Sequence, residues 1–181
     1  MSDRSVSSSP AGADAPVTSR RDVVAAAVTL AATAGTLTPS PAEAQAAPAR
    51  HANPQGMASP AAYSQVVEVN GPHRILFIAG QTGQDANGKL VAGGIRPQAT
   101  QVMENIKTAL ASVGGGFEHV VKLNTYMLDI ERDGAAYREI RASYFSNKAA
   151  LPASTLLQVS RLANPEYLLE VEALAILPPK A

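Results

Sequence analysis

Glu170 and Glu172 stand two residues apart in the run Leu168-Leu169-Glu170-Val171-Glu172-Ala173-Leu174-Ala175-Ile176, a spacing that puts both carboxylates on one face of a strand. By spacing alone they are the exposed alternate residues of a half-buried strand. Two cations, Arg138 and Arg141, lie in Tyr137-Arg138-Glu139-Ile140-Arg141-Ala142-Ser143-Tyr144. Arg141 shares a helical stripe with Tyr137 and Tyr144, at spacings of four and three. Each arginine is either a solvated surface residue or an anchor for an anionic ligand.

Other chemistries drop out. The chain has no cysteine, so it holds no disulfide framework, thiolate metal site or cysteine nucleophile. His51, His73 and His119 are isolated, without the spacing of metal ligands. Gly114-Gly115-Gly116 follows a helical run and precedes a strand, which makes it a helix stop and not a phosphate loop. Glu104 with Lys107 is an ordinary exposed helix face. Fifteen basic and 15 acidic residues balance, with no basic cluster to displace the counterions of a nucleic acid.

The chain is two compositions joined. Its 181 residues are 46% apolar yet only 4% aromatic, and every aromatic lies at or after Tyr63. The first third is Ala/Ser/Thr/Pro-rich. Ser19-Arg20-Arg21 leads into the uncharged, Ala- and Thr-rich stretch from Val23 to Ala42, broken by Pro39 and Pro41. That stretch is too weakly apolar for a membrane span, and Ala42-Glu43-Ala44 has the small-x-small form of a signal-peptidase site. Residues 1–44 resemble a twin-arginine export signal, implying a periplasmic or otherwise exported protein, and a cytoplasmic one if the signal is not used. Residues 45–60 read as a disordered linker, and 61–179 as the folded domain.

In that domain, β-rich runs at Tyr63–Val69 and Arg74–Ala79 flank Asn70-Gly71-Pro72-His73 and predict a hairpin. Ala99, Val102, Met103, Ile106, Ala109, Leu110 and Val113 recur at helical spacing, with Pro97 in the first turn. A strand follows over Val120–Leu128, with Val121, Leu123, Thr125 and Met127 on one face. A second helix is expected from Asp133 or Gly134 to Phe145, capped by Asp133. Strands at Thr155–Val159 and Leu168–Ile176 complete the order β-β-α-β-α-β-β. This is an α+β domain, a mixed sheet with two helices on one face. The bare face then needs another subunit, which predicts a homo-oligomer.

Ile78-Ala79-Gly80-Gln81, Val113-Gly114-Gly115-Gly116, Val120-Val121-Lys122-Leu123-Asn124-Thr125-Tyr126, Tyr144-Phe145, Leu151-Pro152-Ala153-Ser154-Thr155 and Leu169-Glu170-Val171-Glu172-Ala173-Leu174-Ala175 together resemble the Rid (reactive intermediate deaminase, YjgF or L-PSP endoribonuclease-like) family over Tyr63 to Ile176. The resemblance implies a chorismate-mutase-like fold, a homotrimer with clefts between subunits, and cofactor-independent hydrolysis of reactive enamines and imines to a carbonyl compound and ammonia. Residue by residue, Tyr63 matches the family's cleft tyrosine, and Gly80 with Gln81 matches its Ser-Gly-Gln, with Ala79 in place of the serine. Glu170 matches the glutamate that positions water. The family's carboxylate-binding arginine falls at Ser154, and a common cysteine position at Leu156. Arg138 falls where the family has a cleft-edge asparagine.

Loss of a charged hydrogen-bond pair, worth about 1.5–3 kcal/mol, predicts weak binding of an ordinary 2-imino acid unless Arg138 or Arg141 compensates. The expected activity is therefore imine or enamine hydrolysis with an altered substrate range. The competing reading is a trimeric small-molecule or protein binding module that kept the cleft. RNA cleavage is disfavoured by the neutral charge. No cofactor, metal or nucleic acid is expected, and no stable membrane span after signal removal.

Overall fold

The computed structural model describes residues 49–180, and the expected export signal and its cleavage site lie outside them. The segment expected to be a linker contains a strand, β1 (Ala49–Ala52), antiparallel to β2 (Val66–Val69) with Ala49 opposite Val69 and Ala52 opposite Val66. None of the four residues of β1 is β-branched, so its sequence carries little strand signal, and pairing supplies what propensity does not.

The expected hairpin between β2 and β3 (Arg74–Gln81) is not made. β1 and β2 form a two-stranded sheet, and β3 belongs to a four-stranded sheet of order β3-β6-β4-β5. The turn between them contains Pro72, which has no N–H to donate across a ladder, and Gly71 at φ 75°.

In the larger sheet β4 (Val120–Met127) runs antiparallel to β6 (Leu169–Leu177) and parallel to β5 (Ala153–Gln158). A parallel pair needs a crossover, supplied by α2 (Ile130–Ser143). The other helix, α1 (Ile95–Ala111), joins β3 to β4. The expected stripe on α1 is the core: Ala99, Val102, Met103, Ile106 and Leu110 are fully buried with Leu123, Val171 and Ala175. Each large aliphatic side chain so buried contributes roughly 1.5–3 kcal/mol.

Helix α2 begins earlier than expected. Its cap is Asp129, whose carboxylate accepts from Arg132 N at 2.9 Å, and not Asp133. Asp133 is instead buried and gripped by the Arg132 side chain, Nε to Oδ1 at 2.9 Å and Nη2 to Oδ2 at 2.6 Å.

The alternation expected along β4 holds from Lys122 to Met127; at Val121 it does not, because the register shift between Val120 and Lys122 puts Val120 in the core cluster in its place. Leu123, Thr125 and Met127 are buried while Lys122, Asn124 and Tyr126 between them are half-exposed. On the face away from the core Ile75 is 53%, Phe77 76% and Leu157 50% exposed; Ile75 and Phe77 lie together on β3 at one edge of the sheet and Leu157 on β5 at the other, with Lys122, Asn124 and Glu172 between them by register.

Candidate functional site

Strands β3, β6 and β4 bring part of the expected site together on the open face. The β3–β6 register shifts between Ile78 and Gln81, and at this irregularity Gly80 comes against Glu170. A Cβ on Gly80 would fall on the Glu170 carboxyl group, so any side chain there would push that carboxylate from its place. Opposite Glu170 on β4 stands Tyr126, and opposite Glu172 stands Asn124.

The two glutamates differ in their surroundings. Glu172 Oε2 accepts from Asn124 Nδ2 at 3.3 Å and Tyr126 OH at 3.2 Å, which ties it into the sheet. Glu170 accepts no hydrogen bond from either of these groups and lies over the Gly80 backbone. Desolvation first, and then the bond to Glu172 and the charge of Glu170, push the Tyr126 hydroxyl above its ordinary range. Next along β4, Lys122 Nζ donates to Thr155 Oγ1 at 2.7 Å. Of the two glutamates, Glu170 is half-exposed and not engaged by Asn124 or Tyr126, which leaves its carboxylate open to take a proton from a bound molecule. Gln81, at the end of β3, donates its side-chain amide to Ala79 O at 3.0 Å.

The remaining expected residues gather elsewhere. Ser154 and Leu156 pair in register with Leu123 and Thr125, which puts them on the helix-covered side, and Leu156 packs against the core. Tyr63 sits just before β2 in a segment fastened to the start of β5: Ser64 N donates to Pro152 O at 3.2 Å, and Ser64 Oγ to Leu151 O at 2.6 Å. Arg141 Nη1 donates to Ala62 O at 2.9 Å from α2. Arg138 is exposed on the same helix, and the nearby acid, Glu139, pairs with Arg96 at 2.6 Å. Within one protomer the candidates therefore form two groups on opposite sides of the sheet, Gly80 with Glu170 on one and Tyr63, Arg141 and Ser154 on the other.

Two residues passed over in the sequence position the first group. Gln98, buried on α1, donates from Nε2 to Glu166 O and accepts at Oε1 from Leu168 N, both at 2.9 Å, fixing the entry to β6 two residues before Glu170. Asn105 Nδ2 donates to Thr82 O at 3.2 Å and Gln84 O at 2.9 Å, holding the chain that leaves β3. Both are amides set among the apolar stripe of α1, and that interruption is the signal that could have found them. A cavity of about 320 Å³ opens away from Glu170, walled by Phe117, Tyr144 and Phe145 with His51 and His119.

Comparison with known proteins agrees with this architecture. The family model described as Endoribonuclease L-PSP matches residues 54–177, a span that opens inside the segment expected to be a linker. A RutC family protein of Pyrococcus horikoshii is 39% identical over 114 residues, 62% of this chain and 85% of its own. The 2-iminobutanoate/2-iminopropanoate deaminase of Homo sapiens is 37% identical over 115 residues, 63% of this chain and 79% of its own. Among solved structures, a Rid-family protein of unknown function from Yersinia pestis superposes with a TM-score of 0.65 at 37% identity, covering 72% of this chain and 99% of that one. The match over residues 54–177, the mixed sheet with its two helices and the Gly80–Glu170 contact lead to one conclusion: the chain belongs to the Endoribonuclease L-PSP family, the Rid family that its motifs resemble.

Proposed function

We propose that this protein is an imine or enamine deaminase with an altered substrate range, acting as a homotrimer in the compartment reached through the export signal read over 1–44. The observation that carries the activity is the Glu170 carboxylate lying over Gly80 on the open face of the sheet, in a chain related to named imine deaminases. Glu170 takes a proton from water as the oxygen adds to the C=N carbon and returns it to the nitrogen, so that water has added across the double bond. Collapse of the resulting carbinolamine expels ammonia and leaves the carbonyl compound. No group in this sequence of steps is a metal or an organic cofactor.

The trimer is supported by the exposure of Ile75 and Phe77 side by side on β3 and of Leu157 on β5, all on the face that the helices leave uncovered. It also accounts for the division of candidates. A cleft between copies can join the Glu170 side of one protomer to the Tyr63 and Ser154 side of the next, as neither side alone has all the expected groups. The altered range is supported by Ser154, which presents a hydroxyl where a carboxylate-binding cation was expected.

The experiment is a trapping assay. Imines are generated from a panel of amino acids by an amino-acid oxidase and intercepted with semicarbazide, and the protein is expected to lower the trapped yield for some members. Glu170→Gln is expected to reduce that effect at least 100-fold, within the usual contribution of a general base. A protein that never competes with the trap is the binding module, and full rate in Glu170→Gln removes this residue from the chemistry.

A further inference from the structure

Among the described residues, two charged side chains are buried, Asp133 and Arg141. Their surroundings differ in kind. Asp133 is neutralised by a two-point contact with Arg132. Arg141, only 6% exposed, has no carboxylate partner among the described residues: its Nη1 is used on the Ala62 carbonyl, and its charge rests 5.3 Å above the centroid of the Phe145 ring. Its Nε and Nη2 are buried and have no hydrogen-bond partner among the described residues. A buried cation without a counter-charge is strongly unfavourable, and burial correspondingly lowers the proton affinity of this guanidinium.

We propose that Arg141 is the receptor for the carboxylate of a small organic acid, gripped side-on through Nε and Nη2. This deepens the reading of the protein as a deaminase by naming the group that its substrate presents. The two unpartnered donors are those of one edge of the guanidinium, and that edge matches the two oxygens of a planar carboxylate. A lone carbonyl would satisfy one of them, and a hydroxyl brings no charge. A carboxylate supplies both acceptors and the missing negative charge together.

The position suits such a ligand. Tyr137, one turn earlier on α2, bonds Thr125 of β4 at 2.7 Å, and Thr125 pairs with Leu156 of β5. α2 runs back against the strands it connects, so Arg141 lies one turn further toward the level of Ser154. The contacts of Ser64 with Leu151 and Pro152 put the Ala62 segment at that same end of β5. Ala61 and Ala62, next to the guanidinium, are exposed and belong to no helix or strand. Displacing them toward solvent costs one hydrogen bond to Arg141. Phe145, the ring beneath the charge, is also a wall of the 320 Å³ cavity.

The test is calorimetric titration of the full chain with 2-oxobutanoate and, separately, with its methyl ester. The wild type is expected to bind the acid and not the ester. Arg141→Gln is expected to weaken acid binding by about 10- to 100-fold, the range of a charged two-point contact, with a thermal midpoint no lower than wild type in the absence of ligand, because an unpaired buried charge has been removed. Arg141→Lys keeps the charge but not the fork, and an intermediate loss is expected.

A wild type that binds neither compound, or binds both alike, overturns the proposal, as does wild-type affinity in Arg141→Lys and Arg141→Gln. So does a fall in oligomer mass in Arg141→Gln with acid binding intact, which would make the carboxylate that of a neighbouring copy. The deaminase reading fails separately: a protein inactive in the trapping assay whose acid binding is lost in Arg141→Gln leaves the receptor standing without the reaction.

Discussion

The two faces of the four-stranded sheet are built from the same strands and carry different kinds of residue. Toward the helices, Leu123, Met127, Leu169, Val171 and Ala175 are sealed by α1 and α2. Away from them, Glu170, Glu172, Tyr126 and Lys122 on the two central strands are flanked by exposed Ile75 and Phe77 on one edge strand and Leu157 on the other. One face is finished within the protomer, and the other combines apolar area with polar groups. A surface of that second kind is suited to being half of an interface that also encloses a site.

The largest expected difference between the faces is in folding. Leu123→Ala, at a position with no exposure, is expected to destabilise the protein by about 2–5 kcal/mol in chemical denaturation. Phe77→Asp on the other face is expected to leave far-UV circular dichroism unchanged and to reduce the mass in analytical ultracentrifugation to that of one protomer. A wild type that is itself monomeric at micromolar concentration would break the comparison, since the open face would then be covered by nothing of this chain.

Within the open face, the contact between Gly80 and Glu170 separates chemistry from stability. Gly80→Ala inserts a methyl group where the carboxyl group now lies, and Glu170 must move. A displacement on the scale of one ångström costs on the order of 100-fold in a positioned reaction, so kcat is expected to fall by at least a factor of ten. The substrate KM is expected to change little. A kcat that survives Gly80→Ala would detach Glu170 from the reaction even if Glu170→Gln were inactive through misfolding.

How far the sequence disclosed this arrangement depends on which force shaped each part. The α1 stripe and the alternation on β4 were legible because burial imposes a period on residue type. β1 was not, because Ala49-Arg50-His51-Ala52 is a strand by virtue of its partner. The hairpin signal at Asn70-Gly71 was real as a turn, but with Pro72 in it the turn redirects the chain between two sheets. At the start of α2 two aspartates compete for the cap; Gly134 drew the expected start toward Asp133, whereas Asp129 has the N–H of Arg132 to accept.

The site was legible to a similar degree. Glu170 and Gly80 were recognised from motifs and do meet, whereas Gln98 and Asn105, which hold their strands, read as gaps in an apolar stripe. Arg141 is the sharpest case. A helical arginine reads as solvated, and only its shared stripe with buried Tyr137 hinted that this one turns inward.

The smallest expected effect lies between the helices that cover the first face. Tyr144, at the end of α2, donates from its hydroxyl to Glu104 Oε1 of α1 at 2.8 Å, while Lys107 approaches the same carboxylate at 3.2 Å. Burial and then the Glu104 bond push the Tyr144 hydroxyl up to about 12; the Tyr144 bond and then Lys107 hold Glu104 below its ordinary range. The signs are opposite. The tyrosine, raised from an ordinary value of about 10, contributes stability that is complete below about pH 10 and is lost as pH rises through its folded value. The glutamate contributes stability present above the ordinary carboxylate range and lost as pH falls through its lowered value. At neutral pH, Tyr144→Phe removes one hydrogen bond, an expected loss of about 0.5–1 kcal/mol, toward the lower end because water screens this partly open contact. Denaturation series between pH 10 and 12 are expected to show wild-type stability falling more steeply than that of Tyr144→Phe. Parallel slopes would mean that Tyr144 has the same proton affinity in the folded and unfolded chains, so that neither burial nor the bond to Glu104 raises it.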